Sequence, residues 1–257
     1  QIKAKLFFAH VRASTGTSTS RENCHPFRYE NMLFMHNGMI GGFREIRREY
    51  EQLIDAKYYR HRFGTTDTEA FFLLALSNGL AEDVPVALRK TVRQTLALME
   101  ASGSDEPFHM TAAVSNGDAM YVVRYSNDDR SPSLYYAVSG GVEIKEQTVH
   151  FSDGDCATLV LSEPLDERHD EWMAIEEGQI LFARGGMTSV GKFVLKRRLR
   201  AAHKRARILI SRAPWLRLAT GIAVRVLQLR KRSAMPLELS PRGVRLPRSE
   251  VCRRTRQ

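Results

Sequence analysis

The sequence predicts an α+β fold in which strands and helices occupy separate layers. Two observations carry this. Short apolar runs of strand length come first, segments with helical spacing follow, and runs of strand period return afterwards. The segments do not alternate one strand to one helix, as a parallel sheet would require. With 43% hydrophobic residues among 257, the chain can build a sizeable core.

Taken in order, Lys5–Val11 is a short apolar run ending in small polar residues and reads as a buried strand. Asn31–His36 reads as a second strand, closed by Asn37-Gly38. Phe43, Ile46, Tyr50, Leu53 and Ile54 recur at helical spacing among exposed charges. Thr66-Asp67-Thr68-Glu69 is a capping segment ahead of an apolar helix over Ala70–Leu80. Val84–Glu100 is a further amphipathic helix. The period then changes. Met110–Val114 and Ala119–Tyr125 flank Ser115-Asn116-Gly117-Asp118, a hairpin signal. Leu134–Val138 and Ala157–Leu161 read as strands, and Trp172–Ile175 and Gln179–Phe182 bracket a turn at Glu176-Glu177-Gly178.

Charge divides the chain. The total is +10, yet residues 191–257 hold 20 basic and 2 acidic residues, leaving a net of −8 on residues 1–190. A mildly acidic body therefore precedes a very basic tail, with the boundary expected near Gly185–Gly191. The tail is expected to be disordered or partly helical, since Pro214 and Gly221 interrupt its apolar stretch. It reads as a polyanion tether over residues 192–257, as a solvated extension, or as the product of out-of-frame translation. No run of about 18 uncharged apolar residues occurs, so no integral membrane segment is expected. The start lacks Met and opens directly into a strand-like run, so an incomplete N-terminus is expected. Cys24, Cys156 and Cys252 are widely spaced and odd in number, which fits neither a disulfide framework nor a zinc site. A reducing, cytoplasmic setting is expected, with no cofactor and no metal.

Four short segments carry chemistry. Arg12, in Ala9-His10-Val11-Arg12-Ala13-Ser14-Thr15-Gly16, is either a surface residue at a strand end or a fork for a carboxylate. His25 is directed by Pro26, which favours an extended chain before it, and is either structural or part of a site. Asn37-Gly38, after His36, is either a hairpin turn or a pair of donors for a developing oxyanion. Asp67 starts a helix and can also grip an ammonium group.

The order His-x-Arg-x-x-Thr, His-Pro, His-Asn-Gly, Thr-Asp-Thr-Glu resembles the class II glutamine amidotransferases, members of the N-terminal-nucleophile hydrolase superfamily. The small stand-alone members are similar to it in Ala-His-Val-Arg-Ala-Ser-Thr-Gly and Asn-Cys-His-Pro-Phe, and the likeness covers roughly residues 3–182. The resemblance implies an αββα four-layer sandwich lacking its first strands, formed by a type-2 domain over residues 1–190. It implies that Arg12 binds the α-carboxylate of glutamine or a γ-glutamyl compound, that Asp67 binds the α-ammonium and that Thr15 lines the pocket. Asn37 and Gly38 would form the oxyanion hole, with His25 and His36 in support. The family's nucleophile is a cysteine at the mature N-terminus; residue 1 here is Gln, and Cys24 lacks a free amine. The intact parent is thus expected to hydrolyse a side-chain amide, as a homo-oligomer or with a synthase partner, while the chain alone is expected to be inactive. The alternative is a non-catalytic γ-glutamyl-binding or scaffold protein.

Overall fold

The computed structural model describes residues 6–11, 20–139, 142–145, 148–151, 157–164, 172–193 and 221–226. A six-stranded antiparallel sheet is built from β2 (Phe27–Tyr29), β3 (Met32–Ile40), β4 (Phe108–Ser115), β5 (Met120–Ser126), β11 (Gln179–Arg184) and β12 (Met187–Lys192), in the order β12-β11-β5-β4-β3-β2. A five-stranded sheet runs β1-β13-β9-β6-β10, from β1 (Leu6–Val11), β13 (Gly221–Val226), β9 (Ala157–Leu161), β6 (Tyr135–Ser139) and β10 (Met173–Ala174). A separate hairpin joins β7 (Val142–Lys145) and β8 (Thr148–Phe151). The helices are α1 (Phe43–Gln52), α2 (Ala56–Tyr59), α3 (Asp67–Ser77) and α4 (Val84–Ser102).

Alternation along the strands sorts the core into layers. On β3, Met32, Phe34 and Ile40 pack with Phe71, Leu74, Leu88 and Val92 of the helices. Met35, one residue out of phase, packs with Phe8, Val122, Val160 and Leu181 between the two sheets. Among the described residues, helices, six-stranded sheet and five-stranded sheet thus stack in that order, the α, β and β layers of the expected sandwich. A smaller cluster of Ala137, Leu159, Leu161 and Trp172 belongs to the five-stranded sheet.

Local chemistry explains the elements. Helix α3 starts at Thr66, whose hydroxyl accepts from Glu69 N–H at 3.2 Å, and it buries every residue from Thr68 to Leu76. Helix α4 starts at Asp83, whose carboxylate accepts from Val86 N–H, and stops at Gly103 in the left-handed region. The β4–β5 turn closes where the Asn116 side-chain oxygen accepts from Asp118 and Ala119 N–H.

Two expectations need correction. Asn37-Gly38 does not close a strand: β3 continues through it, with Asn37 opposite Thr111 and Gly38 opposite Met110. The turn expected at Glu176-Glu177-Gly178 is present, with Gln179 N–H donating to Glu176 O at 3.2 Å, and it joins strands of different sheets. β10 joins β6 in one sheet, β11 joins β5 in the other, and Glu177 fixes the crossing by accepting from Ser126 N–H. Lastly, Gly185 and Gly186 form the β11–β12 turn rather than a linker, both at positive φ. Strand β12 runs through residue 190, and Phe193 beyond it is buried in the helix-side core. Within the basic tail, residues 221–226 form a strand between β1 and β9; the tail's other residues beyond 193 lie outside the described residues.

Candidate functional site

The site is organised by the second half of β3. Strand β2 pairs with β3 only from Met32 to Phe34, so Met35–Ile40 has β4 on one edge and no β2 partner on the other. The Ile40 N–H leaves the ladder on this open side and donates to Asp67 Oδ2 at 2.9 Å. Strand alternation turns the Gly38 N–H, two residues earlier, toward the same side. Gly38 itself is exposed. It sits at φ +153°, and a Cβ there would lie 2.0 Å from His109 O. Only glycine fits this position.

Asp67 is the first residue of α3. Its Oδ2 accepts from Ile40 N–H, and its Oδ1 accepts from Thr68 N–H at 2.8 Å. Oδ1 also lies 3.4 Å from the Thr68 hydroxyl; a carboxylate oxygen has two acceptor directions, so Oδ2 retains one for a ligand. His36, buried on the helix side of β3, lies 3.0 Å from Thr68 Oγ1 through Nδ1 and 3.0 Å from His109 O through Nε2. A carbonyl only accepts, which assigns the proton to Nε2 and leaves Nδ1 to accept from the Thr68 hydroxyl.

Burial lowers the His36 pKa below the ordinary histidine value, outweighing the opposite pull of Asp67 and of the bond to His109 O. The sign follows directly. Below about pH 6.5 the unfolded chain takes up a proton that the folded chain refuses. Stability from this group is therefore full above that pH and declines as the pH falls. The thermal midpoint should drop between pH 7 and 5, with a slope of up to about 1.4 kcal/mol per pH unit from this one group. His36→Gln should flatten that part of the profile; an unchanged slope would remove His36 as its source.

The neighbouring loops are held by side chains that the sequence did not single out. Asn23 is buried, and its Oδ1 accepts from Thr65 N–H at 2.8 Å while its Nδ2 donates to Thr65 Oγ1 at 3.2 Å. This clamps the Cys24-His25 segment to the loop before α3. His25 precedes Pro26 through a cis bond, and its ring stands 4.2 Å from that of His10 on β1 and 4.9 Å from Phe27. Glu69, also buried, accepts from Phe63 and Gly64 N–H at 2.9 and 2.8 Å and pairs with Arg62. Arg62 also meets Glu51 Oε1 at 3.2 Å. Cys24 is exposed, with its thiol directed at Ser20 O.

The structure therefore gathers His36, Asn37, Gly38 and Asp67 around one strand–helix junction, and places His25 against the end of β1. Arg12 and Thr15, which follow β1 in sequence, lie outside the described residues. Thr68 and Asn23 belong to this arrangement although the sequence marks them only as part of a cap and as the residue before Cys24. Among the described residues, no group of three or more His, Cys, Asp or Glu could hold a metal ion, and no helix is long and apolar enough to cross a membrane.

The described residues thus form a two-sheet antiparallel sandwich with an Asn-Gly pair within β3 and an aspartate in the first turn of α3 beside it. The chain belongs to the class II glutamine amidotransferases, whose family profile matches residues 1–207. It is 36% identical over 205 residues to the probable glutamine amidotransferase DUG3 of Saccharomyces cerevisiae, covering 70% of this chain and 57% of that protein. It is also 20% identical over 208 residues to an uncharacterized protein of Methanocaldococcus jannaschii, covering 72% of this chain and 52% of that one. The chain thus spans little more than half the length of these relatives. Among solved structures it is similar to a glutamine aminotransferase class-II domain protein from Silicibacter pomeroyi. That match has a TM-score of 0.57 and 32% identity, covering 68% of this chain and 72% of that one.

Proposed function

We propose that the intact enzyme hydrolyses the side-chain amide of glutamine or of a γ-glutamyl compound, and that this chain supplies the substrate grip and the oxyanion donors. The observation that carries this reading is the Asn37-Gly38 pair within β3. An Asn-Gly turn would serve the fold alone, whereas a distorted strand position with its N–H toward an open edge serves a ligand. In this reading a cysteine thiolate, with its own α-amine as base, attacks the amide carbon. The oxygen takes up the negative charge and is met by the Asn37 side-chain amide and the Gly38 N–H. The α-amine returns the thiol's proton to the amide nitrogen, which leaves as ammonia or as the amine of the γ-glutamyl compound, and water then releases the glutamyl acid from the thioester. Arg12 holds the α-carboxylate, Thr15 lines the same pocket, and Asp67 receives the α-ammonium. Each charge-assisted contact would contribute about 1.5–3 kcal/mol. His25 and His36 support the pocket. A reducing, cytoplasmic setting accompanies this reading, since its chemistry needs a free thiolate.

The test is glutamine turnover by this chain and by a form carrying the family's N-terminal cysteine and its strands. The chain alone should release no ammonia; turnover that survives Cys24→Ala would mean that another nucleophile exists within it. In the cysteine-bearing form, Asn37→Ala should lower kcat by about 10²–10³ with little change in KM, since an oxyanion donor acts on the transition state. A loss smaller than about threefold would remove Asn37 from the oxyanion hole. Arg12→Lys should raise KM by losing the bidentate contact; an unchanged KM would place Arg12 outside the pocket.

A further inference from the structure

The two candidate oxyanion donors lie between two points at which α3 holds β3. His36, immediately before them, has its Nδ1 3.0 Å from the hydroxyl of Thr68. Ile40, two residues after them, donates its N–H to Asp67 at 2.9 Å. Asp67 and Thr68 are adjacent residues in the first turn of α3, and the Thr68 N–H donates to Asp67 Oδ1 at 2.8 Å. The hydrogen bonds therefore close a ring from His36 through Thr68 and Asp67 to Ile40 and back along the strand. Asn37 and Gly38 are inside that ring. On its far side the His36 ring donates to His109 O, the carbonyl of β4 that a Cβ at Gly38 would strike.

From this ring we infer that Thr68 is a positioning residue, which through His36 sets the geometry of Asn37 and Gly38 at the oxyanion hole. The inference rests on the reading of that pair as oxyanion donors and adds how they are aimed. Thr68 is 5% exposed and sits within the helix–sheet layer, so its hydroxyl, 3.0 Å from His36 Nδ1 and 3.4 Å from Asp67 Oδ1, acts through these side chains, the imidazole the nearer, and not on a ligand. Glycine at 38 gives the strand freedom that a β-carbon would remove, and the ring restrains that freedom. Because the carboxylate that accepts from Ile40 is also the proposed ammonium acceptor, a bound substrate would load the same ring. Grip on the amino acid and alignment of the oxyanion donors would then be mechanically joined. A displacement of about 1 Å at such donors can cost roughly a hundredfold in rate.

The experiment compares Thr68→Val, which removes the hydroxyl at similar volume, with Thr68→Ser, which keeps it. On this full chain, NMR should show the His36 Nδ1 resonance shifting in Thr68→Val, together with the Gly38 amide and the Asn37 side-chain amide. All three should stay at or near their wild-type positions in Thr68→Ser. If Nδ1 shifts while Asn37 and Gly38 do not, the inference is overturned. Should Thr68→Val fail to fold, His36→Gln keeps a donor toward His109 O and loses the imidazole acceptor, and the same Asn37 and Gly38 shifts are expected from it. In the cysteine-bearing form, Thr68→Val should lower glutamine kcat about tenfold to a hundredfold while KM changes less than about twofold, with recovery in Thr68→Ser. A change confined to KM would overturn the positioning role. If the cysteine-bearing form without further substitution turns over no glutamine, the functional reading fails, while the resonance shifts in the chain lacking that addition still decide whether Thr68 aims the pair.

Discussion

Gly38→Ala is expected to destabilise the protein by at least about 3 kcal/mol, and to lower its thermal midpoint by roughly 6–12 °C. The added carbon would lie 2.0 Å from His109 O, 2.7 Å from the carbonyl carbon and 2.7 Å from His36 Nε2. None of these atoms belongs to a flexible side-chain end. His109 is in β4, which is paired on one edge with β3 and on the other with β5, so it cannot retreat without breaking a ladder. His36 is fixed by its two hydrogen bonds. The backbone angle of +153° adds a conformational cost that falls on alanine and not on glycine. Denaturant or thermal unfolding measures the outcome. A midpoint within about 2 °C of wild type would show that β3 relaxes at this point, and that glycine is not required there.

Arg62→Met should cost about 3–5 kcal/mol, chiefly because it leaves the buried Glu69 carboxylate without its cation, while the half-buried Glu51 keeps Arg47. The Arg62 and Glu69 side chains are 4% and 5% exposed, and Glu51 is 13% exposed. Burial alone would raise the pKa of Glu51; the bonds and charges of Arg47 and Arg62 reverse this and bring it below the ordinary value. The pairing also has a positional role, since Glu69 holds the Phe63 and Gly64 N–H groups ahead of the α3 start. The double variant Arg62→Met with Glu69→Gln should recover part of the loss, since the substituted amide carries no charge and can still accept from one of those groups. If the double variant is as unstable as the sum of the two single ones, the two residues are not coupled and this account of the loop is wrong.

Much of this architecture was legible along the chain. The α3 and α4 starts and the β4–β5 turn depend on side chains that bond to backbone a few residues away, and such chemistry is written in short windows. Asn37-Gly38 shows the limit of that reading. Locally the pair favours a turn, but pairing with β4 across more than seventy residues keeps it extended. Arg62 and Glu69 had no periodic signal, since one is in a loop and the other in a helix. Gly221–Val226 was hidden in another way, because Arg225 and the surrounding basic residues mask a strand only six residues long. For the candidate site, it was a family likeness that singled out Asn37, Gly38 and Asp67. The contributions of Thr68 and Asn23 come from partners that only the fold brings near.

The position of β13 has a consequence for how the protein is made. Among the described residues, β1 pairs with β13 alone, and β13 also separates β1 from β9. The pairing of β1 with β13 therefore forms only after residues 221–226 have been made. While the ribosome is still extending the chain, the helices and the six-stranded sheet have all their segments by residue 192, and the five-stranded sheet does not. During that interval β1, with Phe7 and Val11 exposed even in the finished fold, lacks its β13 partner, and an uncovered strand edge invites wrong pairing. Release of a chain stopped at residue 207, where the family match ends, would make that transient state permanent.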